Sequence, residues 1–336
     1  MMSIRIRIAT SSLELDRLYR ARHLAMGPVQ PPVGGLSGSL RFDRYDTYPG
    51  TANIIAAREH QIMGGVRFSN HADTRHLQDE FPGMDLTLPP NARVGSIGMF
   101  FTAEPHREGT FLGQSMLGLG FQWALAQGLT HLYTVLNPTS RDLLEAGFKP
   151  LWTETGEGTD FKTGVLAVLD LRELDERFLR FSQRDGGHQL MFSLVRDYCE
   201  SGDTIVSQGE LGSSCYLIGN GKVAVEVKPP GGNQTFRVAE LGPGQLFGEL
   251  ALLTSRPRSA SVVAISDVEL MVISRETFNN LVRTESAIAV HLLEILGERL
   301  ATTVERLAAA TVSSRISLTD GSGSNAWLGG DGCSWG

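Results

Sequence analysis

The sequence predicts an α+β chain of two domains, a mixed α/β domain followed by a β-roll with C-terminal helices. Three observations predict it. With 336 residues, 41% hydrophobic and 20% charged, the chain has ordinary globular composition and the length of about two domains. Its first half mixes strand-period and helix-period segments, whereas from Ser201 onward short alternating runs are divided by Gly- and Pro-rich turns. Between the halves, Leu171, Leu174, Phe178 and Phe181 form an apolar stripe in a charged helical stretch. The predicted domains are therefore 1–170 and 188–310, joined by a connector over 171–187 and followed by a flexible Gly- and Ser-rich tail over 311–336.

The elements follow in order. Ile4 to Ile8 alternates polar and apolar residues, which reads as a strand and not as a signal peptide. Ser11-Ser12-Leu13-Glu14 caps a helix carrying Leu15, Leu18, Tyr19 and Arg22 at helical spacing. Residues 27–39 are a Pro- and Gly-rich loop, placed to fold over a substrate or simply to move. Ala52–Ala57 and Gly65–Ser69 read as antiparallel strands about a turn at Glu59-His60-Gln61. After an irregular stretch over 71–91, Ser96 to Thr102 is another strand.

Glu104 to Ser115 is a glycine-punctuated turn running into an amphipathic helix to about Gln127, interrupted at Gly118-Leu119-Gly120. Such a turn offers backbone N–H groups to an anion. His131–Leu136 reads as a strand, Ser140–Ala146 as a short helix stopped by Gly147, and Phe148–Leu151 as the start of a strand. Residues 171–200 read as a helical connector in which Leu190, Phe192, Leu194 and Val195 resume the apolar pattern. In the second half, turns fall at Gly209-Glu210, Gly219-Asn220-Gly221 and Pro229 to Gly232, and Val223, Val225 and Val227 alternate with polar residues. That spacing suits a small β-roll. From Thr277 to about Ala310, Leu292, Leu296, Leu300, Val304 and Leu307 line one helical face, either packed on its own domain or paired with a twin in a homodimer.

Composition narrows the function. A net charge of −7 argues against nucleic acid as a partner, and nothing after Ala310 can build a helix-turn-helix. Cys199, Cys215 and Cys333 have no metal-ligand spacing and fit a reducing cytoplasm. No run of about 18 apolar residues is present to span a membrane. His71 to His76 lacks further spaced ligands, so no metal is expected, and neither a phosphate-binding Walker loop nor a nucleophile elbow occurs.

The candidate site lies at Phe247-Gly248-Glu249-Leu250-Ala251, followed by Pro257-Arg258-Ser259-Ala260. Gly248 permits close backbone approach, and the short helix after it presents free amides to an anion. Arg258 supplies a fork for phosphate oxygens, and Glu249 an acceptor for a sugar hydroxyl. A molecule with one phosphate beside a ribose hydroxyl satisfies all three.

These residues resemble the phosphate-binding cassette of the cyclic-nucleotide-binding family, and the Gly202-Asp203-Thr204-Ile205, Gln208-Gly209-Glu210 and Gly221-Lys222-Val223 segments upstream resemble that family's roll. The resemblance implies cAMP or cGMP as effector, held by Gly248, Glu249, Leu250, Arg258 and Ser259; the hydroxyl of Ser259 leaves the base open, leaning to cAMP. Leu296 to Leu307 is similar to the dimer helix of the bacterial cyclic-AMP receptor proteins, which implies that Thr303 contacts the adenine; Val304 stands where that family has a serine.

The order of elements in residues 4–170 resembles the GNAT acyltransferase superfamily. That implies an acyl-CoA or acyl carrier protein as donor, its pyrophosphate held by Arg107, Gly109, Thr110 and Gly113. Phe111 and Glu108 depart from the family's turn, and Leu143 stands at its frequent tyrosine. Arg22 with Met26, Asp43 to Asp46, and Gly64 to Arg67 resemble the acyl-homoserine-lactone and N-acyl amino acid synthases; of their next motif, Arg93, Ser96 and Ile97 keep only the serine. Acyl transfer needs a deprotonated amine and a polarised thioester. Glu104 is placed as base, directly or through water, or else merely caps the turn; Asp43 and Asp46 are placed to orient an amine and Arg67 to hold a carboxylate, with a structural ion-pair set as the other reading of these three. The expectation is an N-acyltransferase controlled by a cyclic nucleotide. The alternatives are a non-enzymatic sensor or scaffold with a degenerate GNAT domain, and a protein-lysine acetyltransferase.

Overall fold

The computed structural model describes residues 3–27, 40–71, 91–103, 111–136, 141–151, 165–174, 195–232 and 234–284, with residues 297, 301, 302, 304 and 305 beyond them. In the first half the order is β1 (Ile4–Ile8), α1 (Ser12–Met26), β2 (Thr51–Arg58), β3 (Gln61–His71), β4 (Val94–Thr102), α2 (Phe111–Ala126), β5 (His131–Leu136), α3 (Arg141–Glu145), β6 (Lys149–Pro150) and β7 (Val165–Asp170). Ser11 caps α1 in a reciprocal box with Glu14, as the sequence predicts. Neighbouring strands are antiparallel except β4 and β5, which run parallel and are joined by the α2 crossover that a parallel pair requires.

The two faces of this sheet are covered differently. Leu112, Met116, Leu119 and Phe121 of α2 join Ile6, Ile54, Val66, Phe68 and Ile97 in the larger core. Leu18 of α1 joins Ile55, Ile62 and Phe101 on a smaller one. The glycine pair expected to interrupt α2 does not break it. A Cβ on Gly120 would fall 2.0 Å from the Phe68 ring, so that glycine lets the sheet's aromatic side chain reach the helix backbone.

The second half comprises β8 (Val195–Cys199), β9 (Thr204–Val206), β10 (Ser214–Asn220), β11 (Val223–Val227), β12 (Phe236–Leu241), β13 (Leu246–Phe247), α4 (Glu249–Thr254), β14 (Ser261–Ala264), β15 (Val268–Ser274) and α5 (Arg275–Thr284). Strands β12-β11-β14-β9 form one sheet, and β13-β10-β15-β8 form the opposing wall of a β-roll. Cys199, Val206, Ile218, Val223, Phe247, Val262 and Leu270 fill it.

Two expectations change. Residues 195–199 are a strand, not the end of a helical connector, and Leu171–Glu173 make a single 3-10 turn. Beyond β8 the sheet runs on, with β1 antiparallel to β8, as far as β6, making eleven strands in all from β13. The chain divides at Arg275/Glu276 into two compact units, so β1 to β15 belong to one. No helix among the described residues is long and apolar enough to cross a membrane.

Candidate functional site

The cassette folds as a tight cradle around one guanidinium. Gly248 takes the left-handed conformation, at φ 78°, and caps α4. A Cβ there would lie 2.6 Å from Arg258 Nη1, and one on Gly212 would lie 2.3 Å from Arg258 Cζ. Both glycines are therefore space for Arg258. Its Nη1 donates to the Gly248 carbonyl and its Nη2 to the Ser214 carbonyl, each at 2.8 Å. The backbone of Arg258 is pinned on both sides, its N–H on Glu210 O and its carbonyl accepting from Gly209 N.

The electrostatics of this cradle are unusual for a buried cation. Arg258 is 6% exposed, and its buried Nε has no hydrogen-bond partner. Among the described residues no carboxylate forms an ion pair with it; its partners are carbonyl dipoles and the Tyr216 ring, 5.8 Å from Cζ. Tyr216 in turn stacks on Phe247 at 5.1 Å. Glu249 is buried at the first position of α4, where backbone N–H groups lack intrahelical partners, while Leu250 and Ser259 are exposed. Cys215 lies behind the cradle. Burial pushes its thiol up to about 12, and the charge of Glu249 adds to that rise.

The residues predicted to handle an amine and a carboxylate also come together, on the α1 face of the first half. Asp43 and Asp46 cap a 3-10 turn reciprocally. Arg67 Nη1 reaches Asp43 Oδ1 at 2.5 Å and Asp46 Oδ2 at 3.5 Å. Arg22, fully buried, donates to Asp46 Oδ1 at 2.8 Å and to Asn53 Oδ1 at 2.6 Å. Two cations thus face two carboxylates, and both oxygens of Asp46 are engaged, Oδ2 also by the Asp43 N–H. Burial pushes the Arg22 pKa down while the charge and hydrogen bond of Asp46 oppose it. Asn53 was missed in the sequence because an amide in a β-run carries no signal of its own.

Glu104, Arg107, Gly109, Thr110 and Thr303 lie outside the described residues, as do most of the connector, the loops over 28–39 and 72–90, and the tail. Gly113 sits in the first turn of α2, where a Cβ would meet Asp142 Oδ2 at 2.5 Å, so a carboxylate stands beside the turn predicted to take a pyrophosphate. Leu143 is buried in the main core. Near this turn, β4 and β5 pair only over Val94–Ser96 and His131–Tyr133, with Thr134 Oγ1 donating to Ile97 O at 3.0 Å beyond. From there β4 bulges at Met99, with φ 55°, and runs on to Thr102 without pairing to β5. Ser96 accepts or donates a 2.8 Å bond with His71, both buried. Among the described residues no cluster of His, Cys, Asp and Glu could hold a metal.

Comparison with known proteins agrees with the cradle. Residues 196–285 match the cyclic nucleotide-binding domain family. Over 99 residues the chain is 42% identical to the cyclic AMP receptor protein of Thermus thermophilus, covering 30% of this chain and 45% of that one. It is 38% identical over 198 residues to human cGMP-dependent protein kinase 2, 55% of this chain and 25% of the kinase. It is 43% identical over 84 residues to the cAMP-dependent protein kinase regulatory subunit of Dictyostelium discoideum, 24% and 26% of the two chains. The chain thus spans less than half the length of each of these relatives. Among solved structures, the Thermus thermophilus catabolite activator protein overlaps at 33% identity and a TM-score of 0.36, covering 40% of this chain and 63% of its own. Residues 196–285, with Arg258 at the centre of their cradle, are a cyclic-nucleotide-binding domain.

Proposed function

We propose that this chain is a cyclic-nucleotide-responsive regulator: Arg258 takes the cyclic phosphate, Glu249 a ribose hydroxyl, and occupancy of the roll sets the state of the N-terminal half. One observation carries the reading. Arg258 is a buried cation held by two carbonyl oxygens, with no carboxylate paired to it among the described residues, an arrangement that leaves its charge to be met by an anion. The effector is cAMP or cGMP, with cAMP favoured, and the exposed hydroxyl of Ser259 next to Arg258 is the group through which the two would be told apart. Thr303 and the helix around it are the proposed base contact and homodimer face. The buried free thiols of Cys199 and Cys215 fit a cytoplasmic setting.

For the N-terminal half, the reading that fits the described residues better is a non-catalytic sensor or scaffold. Asp43, Asp46 and Arg67 already satisfy one another, and Asp142 places negative charge beside Gly113. A second reading, N-acyl transfer from acyl-CoA or acyl carrier protein to an amine or a protein lysine, is favoured by the parting of β4 and β5 and the bulge at Met99. That parting leaves strand-edge groups of β4 to accept an extended thioester arm.

Calorimetric titration with cAMP and cGMP tests the sensor. Each charge-assisted hydrogen bond contributes about 1.5–3 kcal/mol, so Arg258→Ala should weaken binding by at least about tenfold. Heat from neither nucleotide, or equal binding by the variant, refutes it. Incubation of the nucleotide-loaded protein with acyl thioesters and a panel of amines separates the two outputs, since only an acyltransferase releases the thiol.

A further inference from the structure

We propose that the β1–β8 seam makes the nucleotide-binding roll and the N-terminal sheet one cooperative unit, so that nucleotide occupancy reaches the N-terminal half as added stability of its central strands. The proposal rests on the nucleotide reading of the Arg258 cradle, and names the route by which that site acts.

The seam is built on both faces of β8. Ile4, Arg5 and Ile6 pair with Tyr198, Asp197 and Arg196 on one edge of β8, while β15 pairs with the other edge from Val195 to Cys199. Along the strand, Tyr198 lies in the N-terminal core with Ile4 and Ile6, and its neighbour Cys199 lies in the core of the roll. The Tyr198 hydroxyl donates to Asp267 Oδ2 at 2.6 Å, in the turn that starts β15. Arg196 forms a buried ion pair with Glu269 of β15. Two outer ion pairs cross the join, Arg5 with Asp197 at 3.3 Å and Arg58 with Glu200 at 3.2 Å.

The nucleotide cradle is attached to the same ladder. Ser214, whose carbonyl holds Arg258, begins β10, which pairs with β15. One row of paired residues then crosses the molecule: Leu217, Met271, Arg196, Ile6, Ala56, Gly64 and Thr102. At about 4.8 Å per step it carries hydrogen-bonded backbone ~29 Å, from the cradle to the end of β4. Parting the halves would open two sheet edges and two cores at once, so they are expected to open together.

A ligand that binds only the folded state slows any opening that destroys its site by the factor 1 + [L]/Kd. With the full chain at a cAMP concentration about a hundredfold above its Kd, hydrogen exchange of the slowest amides in residues 4–8 and 51–58 should therefore slow about a hundredfold, as in 195–284. Slowing confined to 195–284 overturns the proposal. No slowing anywhere, with no heat of binding, refutes instead the nucleotide reading beneath it. The double variant R5E/R58E sets like charges against Asp197 and Glu200 at partly exposed positions, leaving the cradle intact. It should keep its heat of cAMP binding and show a slowing in 4–8 and 51–58 several-fold smaller than the wild type's; an undiminished slowing there overturns the part given to the outer ion pairs, and the wild-type result decides the seam itself. If that variant does not fold, the wild-type measurement decides alone.

Discussion

Arg22 and Arg258 are both buried guanidinium groups, yet one sits among carboxylates and the other among carbonyl oxygens. Arg22 shares Asp46 with Arg67, and Asp43 completes a set of two positive and two negative charges. Arg258 rests on the carbonyls of Gly248 and Ser214. The difference separates structure from reception. A buried charge met by an opposite charge has its desolvation offset already, whereas one held by dipoles still gains from an anion. On that criterion we read the N-terminal cluster as a joint between α1, the turn at residues 43–47 and the sheet, and the cradle as the receptor proposed above.

The largest break in the comparison should come from Asp46→Ala. Removing that carboxylate leaves the Arg22 guanidinium fully buried with, among the described residues, Asn53 as its one hydrogen-bond acceptor. Breaking one side of a buried pair costs about 3–5 kcal/mol, a large part of a typical domain's stability. Urea titration should show that loss, while calorimetry on the folded fraction shows unchanged nucleotide affinity. A loss below about 1 kcal/mol would mean that the cluster is wetter and more accessible than its geometry implies, and would restore the case for an amine site there.

Next in size is Arg258→Lys, which keeps the charge and removes the planar fork. A lysine ammonium cannot span both carbonyls and face a phosphate. Nucleotide affinity should fall by about one charge-assisted bond, roughly tenfold or more, with stability changed far less than in Asp46→Ala. Full affinity in the lysine variant would show that net charge and not the fork makes the receptor.

The two regions also differed in how far the sequence revealed them. Gly248, Glu249 and Arg258 were legible because a glycine opening a helix and an arginine before a strand are local signals whose chemistry can be stated from the residues alone. Their supports were not. Gly212 and the Ser214 carbonyl lie far from Arg258 along the chain, and backbone acceptors leave no mark in a sequence. Asp43, Asp46 and Arg67 were legible as a group, but only the packed structure adds Arg22 and Asn53 and closes the charge balance. Ile4–Ile8, Ala52–Ala57, Gly65–Ser69, Ser96–Thr102 and His131–Leu136 were readable as strands from their apolar and period-2 runs, but their order in the sheet was not. Nor was the join at β8, since Val195 was read as the end of a helical apolar pattern, and pairing between β1 and β8 is set by packing nearly 190 residues apart. Gly120 was read as an interruption because a glycine's neighbour, here Phe68, is invisible until the fold is known.

Gly212→Ala should produce a smaller effect, confined to the receptor. The new methyl group would sit 2.3 Å from Arg258 Cζ, so the guanidinium must shift away from the Ser214 carbonyl or the turn must open. Overpacking of this kind costs about 1–3 kcal/mol. If about 1 kcal/mol of it is spent on misplacing the fork, nucleotide affinity falls by about fivefold with little change in the N-terminal half. Unchanged affinity would show that Arg258 has a second rotamer suited to binding.

The smallest expected effect belongs to a third kind of arginine partner, the partly exposed pair of Arg7 and Glu14 at 2.6 Å. Burial alone would raise the Glu14 pKa. Hydrogen bonds from the Thr10 N–H, Arg7 and the Ser11 N–H outweigh it and hold the group down at about 2, against 4.5 when unfolded. Because the folded value is the lower, the stabilisation is fully present above pH 4.5 and is lost as the pH falls toward 2. Glutamine at this position still completes the cap of α1, so Glu14→Gln removes the charge and spares the geometry. A partly exposed pair of this kind contributes about 0.2–1 kcal/mol after solvent screening. The variant should therefore lose no more than that near neutral pH and converge on the wild type below pH 4.5, measured by urea unfolding across the acid range. A gap that stays constant with pH would place the role of Glu14 in its shape and not its charge.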